Sequence, residues 1–237
     1  MIEFEITKGE LFCLAAMYGH GDLVNIPYEQ DEFGEDLSAA LHQITAGLRA
    51  KGWLEEDFDG NVTVPPHLEL AAALCAAPER FWQVLVHGKQ EAVFDIAAGI
   101  YAAGGCYLIL NRLDAERYAG FLTEDGADVL GLMKAYAAFP EAAHTHTAIP
   151  ASALSAVTEA EMFAAVNISR CALEVTETDK ALLCGDVAMF LLLEHSGAYT
   201  LAAAEDESGV FWPLTREAYE ARLAELFAGE EDSHEFA

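Results

Sequence analysis

His144 and His146 stand one residue apart, and a metal ion is the chemistry that spacing suggests, because alternate residues of an extended segment point the same way. A metal centre needs further ligands, and no His-Glu-x-x-His or Cys-x-x-Cys accompanies the pair. The two histidines therefore read as part of a linker. Glu194-His195-Ser196 holds the three groups of a nucleophilic triad. Contiguous residues point in different directions, however, and cannot converge on one reacting atom. Neither a phosphate-cradling glycine motif nor a Gly-x-Ser-x-Gly nucleophile elbow occurs. Carboxylates are so numerous that any pair chosen for acid–base work would be arbitrary. The expectation is a protein with no catalytic residue, no metal and no cofactor.

The charge narrows the partners. Of 237 residues, 40 are acidic and 12 basic, a formal net charge of −28 at pH 7. Such a surface repels nucleic-acid phosphates and anionic membrane surfaces alike. It suits a protein that meets basic or apolar protein surfaces and stays soluble while doing so. Hydrophobic residues make up 53% of the chain and the mean hydropathy is +0.18, so a sizeable core is expected. The five cysteines, at 13, 75, 106, 171 and 184, are odd in number and widely spaced within apolar segments. They read as buried thiols of a reducing compartment. With no basic stretch leading into an apolar leader and no run of roughly 18 apolar residues, the expected location is the cytoplasm.

Several elements are legible from spacing. Ile2 to Ile6 alternates like a strand, and Thr7 with Glu10 forms a capping box for the helix that follows, with Leu11, Leu14, Ala15 and Tyr18 on one face. Gly19, Gly21 and Pro27 end it. Glu35 to Ala50 is helical by the recurrence of Leu37, Leu41, Ile44 and Leu48. Asp59-Gly60 marks a hairpin between Trp53 and Val64, and a helix covers Leu68 to Ala77. Helix, helix and hairpin together read as a winged-helix module. Strands follow at Phe81 to Val86, Ala92 to Ala97, Cys106 to Leu110 and Tyr118 to Leu122, with a turn at Gly104-Gly105. A helix runs from Asp125 to Phe139, and Pro140 to Pro150 is a linker. Beyond it lie a helix from Glu159 to Val166, strands at Cys171 to Thr176, Met189 to Glu194, Tyr199 to Ala204 and Val210 to Pro213, and a helix from Arg216 to Phe227.

The chain partly repeats itself. Gly105-Cys106-Tyr107 recurs as Gly197-Ala198-Tyr199, and Leu122-Thr123 recurs as Leu214-Thr215, both 92 positions later. Asp95-Ile96-Ala97 is echoed by Asp186-Val187-Ala188. Each copy reads as helix, antiparallel strands, helix, joined by connections too short for parallel crossovers. One unit would leave apolar faces bare, so the expected fold is an α+β body in which two duplicated units pack about a rough twofold. The expected divisions are 1–78 for the helical, winged-helix-like module, 79–140 and 151–229 for the repeats, and 230–237 for an acidic tail.

Candidate contact residues come from exposed connections and sheet edges. The segment from Asn111 to Gly120 joins two strands and mixes Leu113, Arg117 and Tyr118 with acids, a composition suited to a recognition loop. Trp212, late in an apolar run before Pro213, could anchor a partner at a sheet edge. Trp53, Trp82 and Trp212 otherwise read as packing residues.

The layout resembles the EspG-like chaperones associated with type VII (ESX) secretion. The likeness lies in residues 37–80: the Leu37, Leu41, Ile44 and Leu48 helix closing on Leu48-Arg49-Ala50-Lys51-Gly52-Trp53-Leu54, the hairpin Asp59-Gly60-Asn61-Val62-Thr63-Val64, and a helix ending Ala77-Pro78-Glu79-Arg80. The segment from Gly197-Ala198-Tyr199 to Pro213-Leu214 with its closing helix is similar too. The resemblance implies a quasi-twofold α+β chaperone that keeps a helical secreted substrate soluble in the cytoplasm until export, with helix-in-groove docking. Leu113, Tyr118, Phe121 and Trp212 are then the expected partner-binding residues, and homodimerisation stays open. Two alternatives also stay open: a winged-helix regulator, although Glu35 to Ala50 carries only Arg49 where a DNA-reading helix would be basic, and an enzyme of unrecognised type.

Overall fold

The structure is a computed structural model that describes residues 1–26, 37–87, 95–136, 149–150, 164–175, 180–195, 198–205, 210–213 and 216–228. It is an α+β fold with antiparallel strand pairing. Strand β1 (Ile2–Thr7) alternates as expected, setting Ile2, Phe4 and Ile6 on one face and Glu3 and Glu5 on the other. Thr7 ends the strand and caps α1 (Lys8–Met17). Its hydroxyl accepts from the Glu10 amide at 3.1 Å, and the Glu10 carboxylate accepts from the Thr7 amide at 2.9 Å. Glu10 is buried, and the Lys51 ammonium donates to it at 2.7 Å, so the capping carboxylate is also a buried ion-pair partner. Leu11, Leu14 and Ala15 face inward, whereas Tyr18 sits past the helix end and is exposed.

Helix α2 (Leu37–Ala50) follows. Gly52 closes it at φ 68°, a left-handed conformation that costs glycine little, and the Trp53 amide donates back to the Leu48 carbonyl. Only Leu48 of its apolar stripe is fully buried; Leu41 and Ile44 are half-buried and Leu37 is exposed. Strands β2 (Glu55–Glu56) and β3 (Val62–Thr63) form the expected hairpin. Helix α3 (Pro66–Ala76) starts on a proline, whose missing amide would have no helical partner there, and buries Leu68, Ala71, Ala72 and Cys75.

The remaining elements are β4 (Arg80–His87), β5 (Asp95–Ala103), β6 (Cys106–Arg112), β7 (Arg117–Thr123), α4 (Gly126–Tyr136), β8 (Ile149–Pro150), β9 (Ala164–Val175), β10 (Lys180–His195), β11 (Ala198–Glu205), β12 (Val210–Pro213) and α5 (Arg216–Ala228). Hydrogen-bonded neighbours follow the order β1, β7, β6, β5, β4 in the first half of the sequence and β9, β10, β11, β12, β8 in the second. The Gly104-Gly105 turn joins β5 to β6 with both residues at positive φ, the geometry that matches strand twist in a two-residue hairpin.

Three expectations are corrected. The strand expected to end at Ala97 runs on through Gly99 to Ala103, while its expected start, Ala92 to Phe94, lies outside the described residues. Its small residues look like weak strand formers, yet Tyr101 packs its ring over Gly99, where a β-carbon would lie 2.8 Å from the hydroxyl. The end of the expected Pro140 to Pro150 linker is β8, which pairs with β12 through Ile149 and Phe211. Ala164 to Val166, expected in a helix, belong to β9. Alanine-rich apolar segments fit either period, and the neighbouring strand decides. The rest of that helix, Pro27, Pro140 to Ala148 and the acidic tail lie outside the described residues.

The chain divides into two compact units, Met1–Phe81 with Gly99–Asp125 and Leu173–Leu182, and Trp82–Ala98 with Gly126–Ala172 and Leu183–Ala237. In the first, α1 and α3 pack together, with α1 meeting β1 and α3 meeting β6. Its core includes Ile6, Leu11, Leu14, Leu68, Leu74, Phe81, Ile100 and Tyr101. The Phe81 and Tyr101 rings pack tilted against each other with centroids 4.8 Å apart, and the Tyr101 hydroxyl donates to the Val24 carbonyl at 2.9 Å. In the second, α4 and α5 pack together, burying Val129, Met133, Tyr219 and Leu223, with Trp82 of β4 buried beside the end of α5.

Burial pushes the Cys75 thiol and the Tyr101 phenol well above their ordinary values of 9.0 and 10.0; for Tyr101 the nearby Cys75 adds to the effect. Both groups stay protonated in the folded chain while the unfolded chain releases their protons near those values. Stability therefore falls as pH rises above about 9, with a slope near 1.4 kcal/mol per pH unit for each group once ionised in the unfolded chain. Cys75→Ala is expected to remove one proton's share of that slope between pH 9 and pH 10. Chemical denaturation at stepped pH measures it, and an unchanged slope would show that Cys75 is not the group responsible.

Candidate partner-binding surface

The segment expected as a ten-residue loop is mostly strand. Strand β6 extends to Arg112 and β7 starts at Arg117, leaving Leu113 to Glu116 as the turn. The ladder continues into it, because the Leu113 amide donates to the Arg117 carbonyl at 2.8 Å. Asp114 then fixes the tip from inside. One carboxylate oxygen accepts from the Glu116 and Arg117 amides, each at 2.9 Å, and the other from the Arg117 guanidinium at 2.7 Å. The Glu116 amide and the Arg117 guanidinium hold the Asp114 carboxyl below the usual carboxylate range. Arg117 also donates to Glu5 of β1 at 3.0 Å, and the Lys8 amide donates to the Glu116 carbonyl. The tip is thus tied to the chain's own first strand and helix, and Leu113 projects from it half exposed.

Register determines which candidate residues face together. Phe121 stands opposite Ile109 and Glu3, while Tyr118 stands opposite Arg112 and Ile6. Strand side chains alternate, so Phe121 and Tyr118 project to opposite faces of the sheet. Leu113 continues the Ile109 and Asn111 row and shares the Phe121 face. Tyr118 shares its face with Phe4, Ile6, Gly120 and Leu122. Both Phe121 and Tyr118 are half-buried. Trp212 lies on β12 in the second unit, opposite Ala203 of β11. The hairpin therefore brings Leu113 and Phe121 to one face and puts Tyr118 on the other.

Glu194 and His195 are successive residues of β10, paired with Tyr199 and Ala198 of β11, and Ser196 lies outside the described residues. His144 and His146 lie outside the described residues. Among the described residues no group of three His, Cys, Asp or Glu is placed to hold a metal ion, and no helix is long and apolar enough to cross a membrane. Arg49, the one basic residue of α2, pairs with Glu56 of the β2–β3 hairpin.

Sequence reasoning missed two features. The Phe4 ring lies over Gly120, set edge-on to Trp53 at 6.4 Å and tilted against His67 at 6.1 Å, while the Lys51 ammonium stands 4.5 Å above the Trp53 ring. Only pairing across β1 and β7 could have revealed it. The other is Phe58, at the tip of the β2–β3 hairpin and fully exposed. An aromatic placed between two aspartates and a glycine was its only signal.

No protein-family model and no curated protein matches the chain. Among solved structures it is similar to the Mycobacterium tuberculosis type VII secretion system chaperone EspG5, solved in complex with a PE25–PPE41 dimer. The match has a TM-score of 0.62 at 12% identity and covers 95% of each chain. The likeness is one of fold.

Proposed function

We propose that the chain is a chaperone of a type VII-like secretion route, binding a helical secreted protein in the cytoplasm and holding it soluble until export. The observation that carries this reading is the fold likeness over 95% of both chains to a chaperone that holds a PE25–PPE41 dimer. The reading is of a binding protein and not an enzyme. Its −28 charge would keep a complex dispersed through mutual repulsion. Leu113, Tyr118, Phe121 and Trp212 are proposed as contact residues, and of the three on the β6–β7 hairpin Leu113 is the most exposed. Substrate helices would seat apolar side chains against these residues in helix-in-groove fashion.

The two repeats belong to the same proposal. The runs β4, β5, β6, β7 and β9, β10, β11, β12 each follow chain order. Each ends on an added strand, β1 or β8, and is followed by a helix, α4 or α5. That correspondence supports descent from one duplicated unit, with residues 1–78 as an added winged-helix-like module used for protein contact.

Co-expression with the small helical proteins encoded beside it is the test. One of them is expected to co-purify with the chain at a fixed ratio, and failure of all of them to do so overturns the chaperone reading. Replacing Leu113, Tyr118, Phe121 and Trp212 together by Ala is expected to lower recovery of that partner at least about tenfold. Unchanged recovery would instead reject the four residues and leave the chaperone reading standing.

A further inference from the structure

The β2–β3 hairpin is short, and its turn is held more tightly than its strands. The Asp57 carboxylate accepts from the Asp59 and Asn61 amides and from the Asn61 side-chain amide, each at 2.8 Å. The Asp57 amide donates to the Asn61 carbonyl at 3.0 Å, and the Gly60 amide to the Asp57 carbonyl at 3.1 Å, with Gly60 at φ 82°. This arrangement fixes a turn whose only large side chain is Phe58, and Phe58 is fully exposed. A phenyl ring held in water is unfavourable relative to a buried one. A turn ordered in advance around such a ring presents an anchor that loses little entropy on docking. Val62, on β3 of the same hairpin, is a second exposed apolar side chain.

The rim of this anchor is acidic. Glu56 is taken up by Arg49 and Asp57 is consumed within the turn, leaving Glu55 and Asp59 facing solvent with no ion pair among the described residues. We infer that the β2–β3 hairpin is a docking tip for a second protein whose surface carries an apolar pocket rimmed by Lys and Arg, with Phe58 as the inserted side chain. Charge complementarity selects this occupant. A membrane is disfavoured because acidic flanks oppose anionic headgroups, and a second copy of the chain is disfavoured because each carries −28. The site is separate from the β6–β7 hairpin, so its failure leaves the chaperone reading untouched, and failure of that reading leaves this site untouched.

The test uses the full chain labelled with 4-fluorophenylalanine at position 58. The probe is a helical-hairpin peptide whose two helices leave a leucine-lined pocket rimmed by lysine and arginine. A saturable change in the fluorine resonance is expected, with none from the same peptide carrying glutamate in place of the basic residues. Phe58→Ser, whose melting temperature should match the parent because the ring touches no core, is expected to bind the basic peptide at least about tenfold more weakly. Equal binding by Phe58→Ser would reduce the effect to bulk charge and overturn the inference. So would a resonance change on adding phosphatidylcholine vesicles, or one that follows protein concentration alone.

Discussion

Trp82→Ala is expected to lower stability by about 3–5 kcal/mol, the range for removing a fully buried tryptophan. Three contacts are lost together. The indole fills buried space on β4, stacks on Phe227 at 5.2 Å between centroids, and donates its N–H to the Leu226 carbonyl at 3.1 Å. Leu226 lies in the last turn of α5, where carbonyls have no partner within the helix, so the indole also satisfies a helix end. For a chain of this size the loss corresponds to roughly 6–20 °C in melting temperature. Trp82→Phe separates the terms. It keeps a six-membered aromatic ring while removing the five-membered ring with its N–H, and should cost less than half as much. Calorimetry on the three proteins decides; a Trp82→Ala melting temperature within 2 °C or so of the parent would mean that Trp82 does not hold α5 to β4.

Gly120→Ala is expected to cost about 1–3 kcal/mol although it adds a single methyl group. The reason is the Phe4 ring, which occupies the place a β-carbon would take. Phe4 cannot step aside freely, because Trp53 and His67 lie against it. The ring must tilt, and the pairing of Phe4 with Gly120 that docks β1 on β7 weakens with it. Bare glycine in a strand is itself unfavourable, and an aromatic laid across it from the neighbouring strand restores the lost packing. A double-mutant cycle tests this. With Phe4→Ala in place the cost of Gly120→Ala should fall by at least about 1 kcal/mol. Additive costs would show that the ring and the glycine are independent.

Local signals in the sequence carried well into the fold. Thr7 and Glu10 form the capping box that their spacing announces, because both partners lie within one helical turn. Asp59-Gly60 and Gly104-Gly105 make the turns expected of them, because positive φ is a property of glycine and not of its surroundings. Element ends were legible less often. The strand expected to end at Ala97 runs on to Ala103, and Ala164 to Val166 join a strand instead of the expected helix, where alanine and glycine fit either period.

The proposed contact residues show where local reading stops. Leu113, Tyr118 and Phe121 were chosen for type and nearness in sequence, and all three sit on one hairpin. That Phe121 and Tyr118 face apart follows from their three-residue separation along one strand, whereas Leu113 shares the Phe121 face only because β6 pairs with β7 in that register. The sequence alone determined the helix caps, the glycine turns, the alternation of β1 and the acidic surface, since each arises from residues a few positions apart or from composition. Tertiary structure decided which side chains share a face, that Phe4 covers Gly120, and that Trp82 closes the end of α5. Those outcomes depend on pairing between different elements, across a turn for β6 and β7 and across roughly a hundred positions or more for Phe4 and Trp82, about which a period of two or 3.6 carries no information.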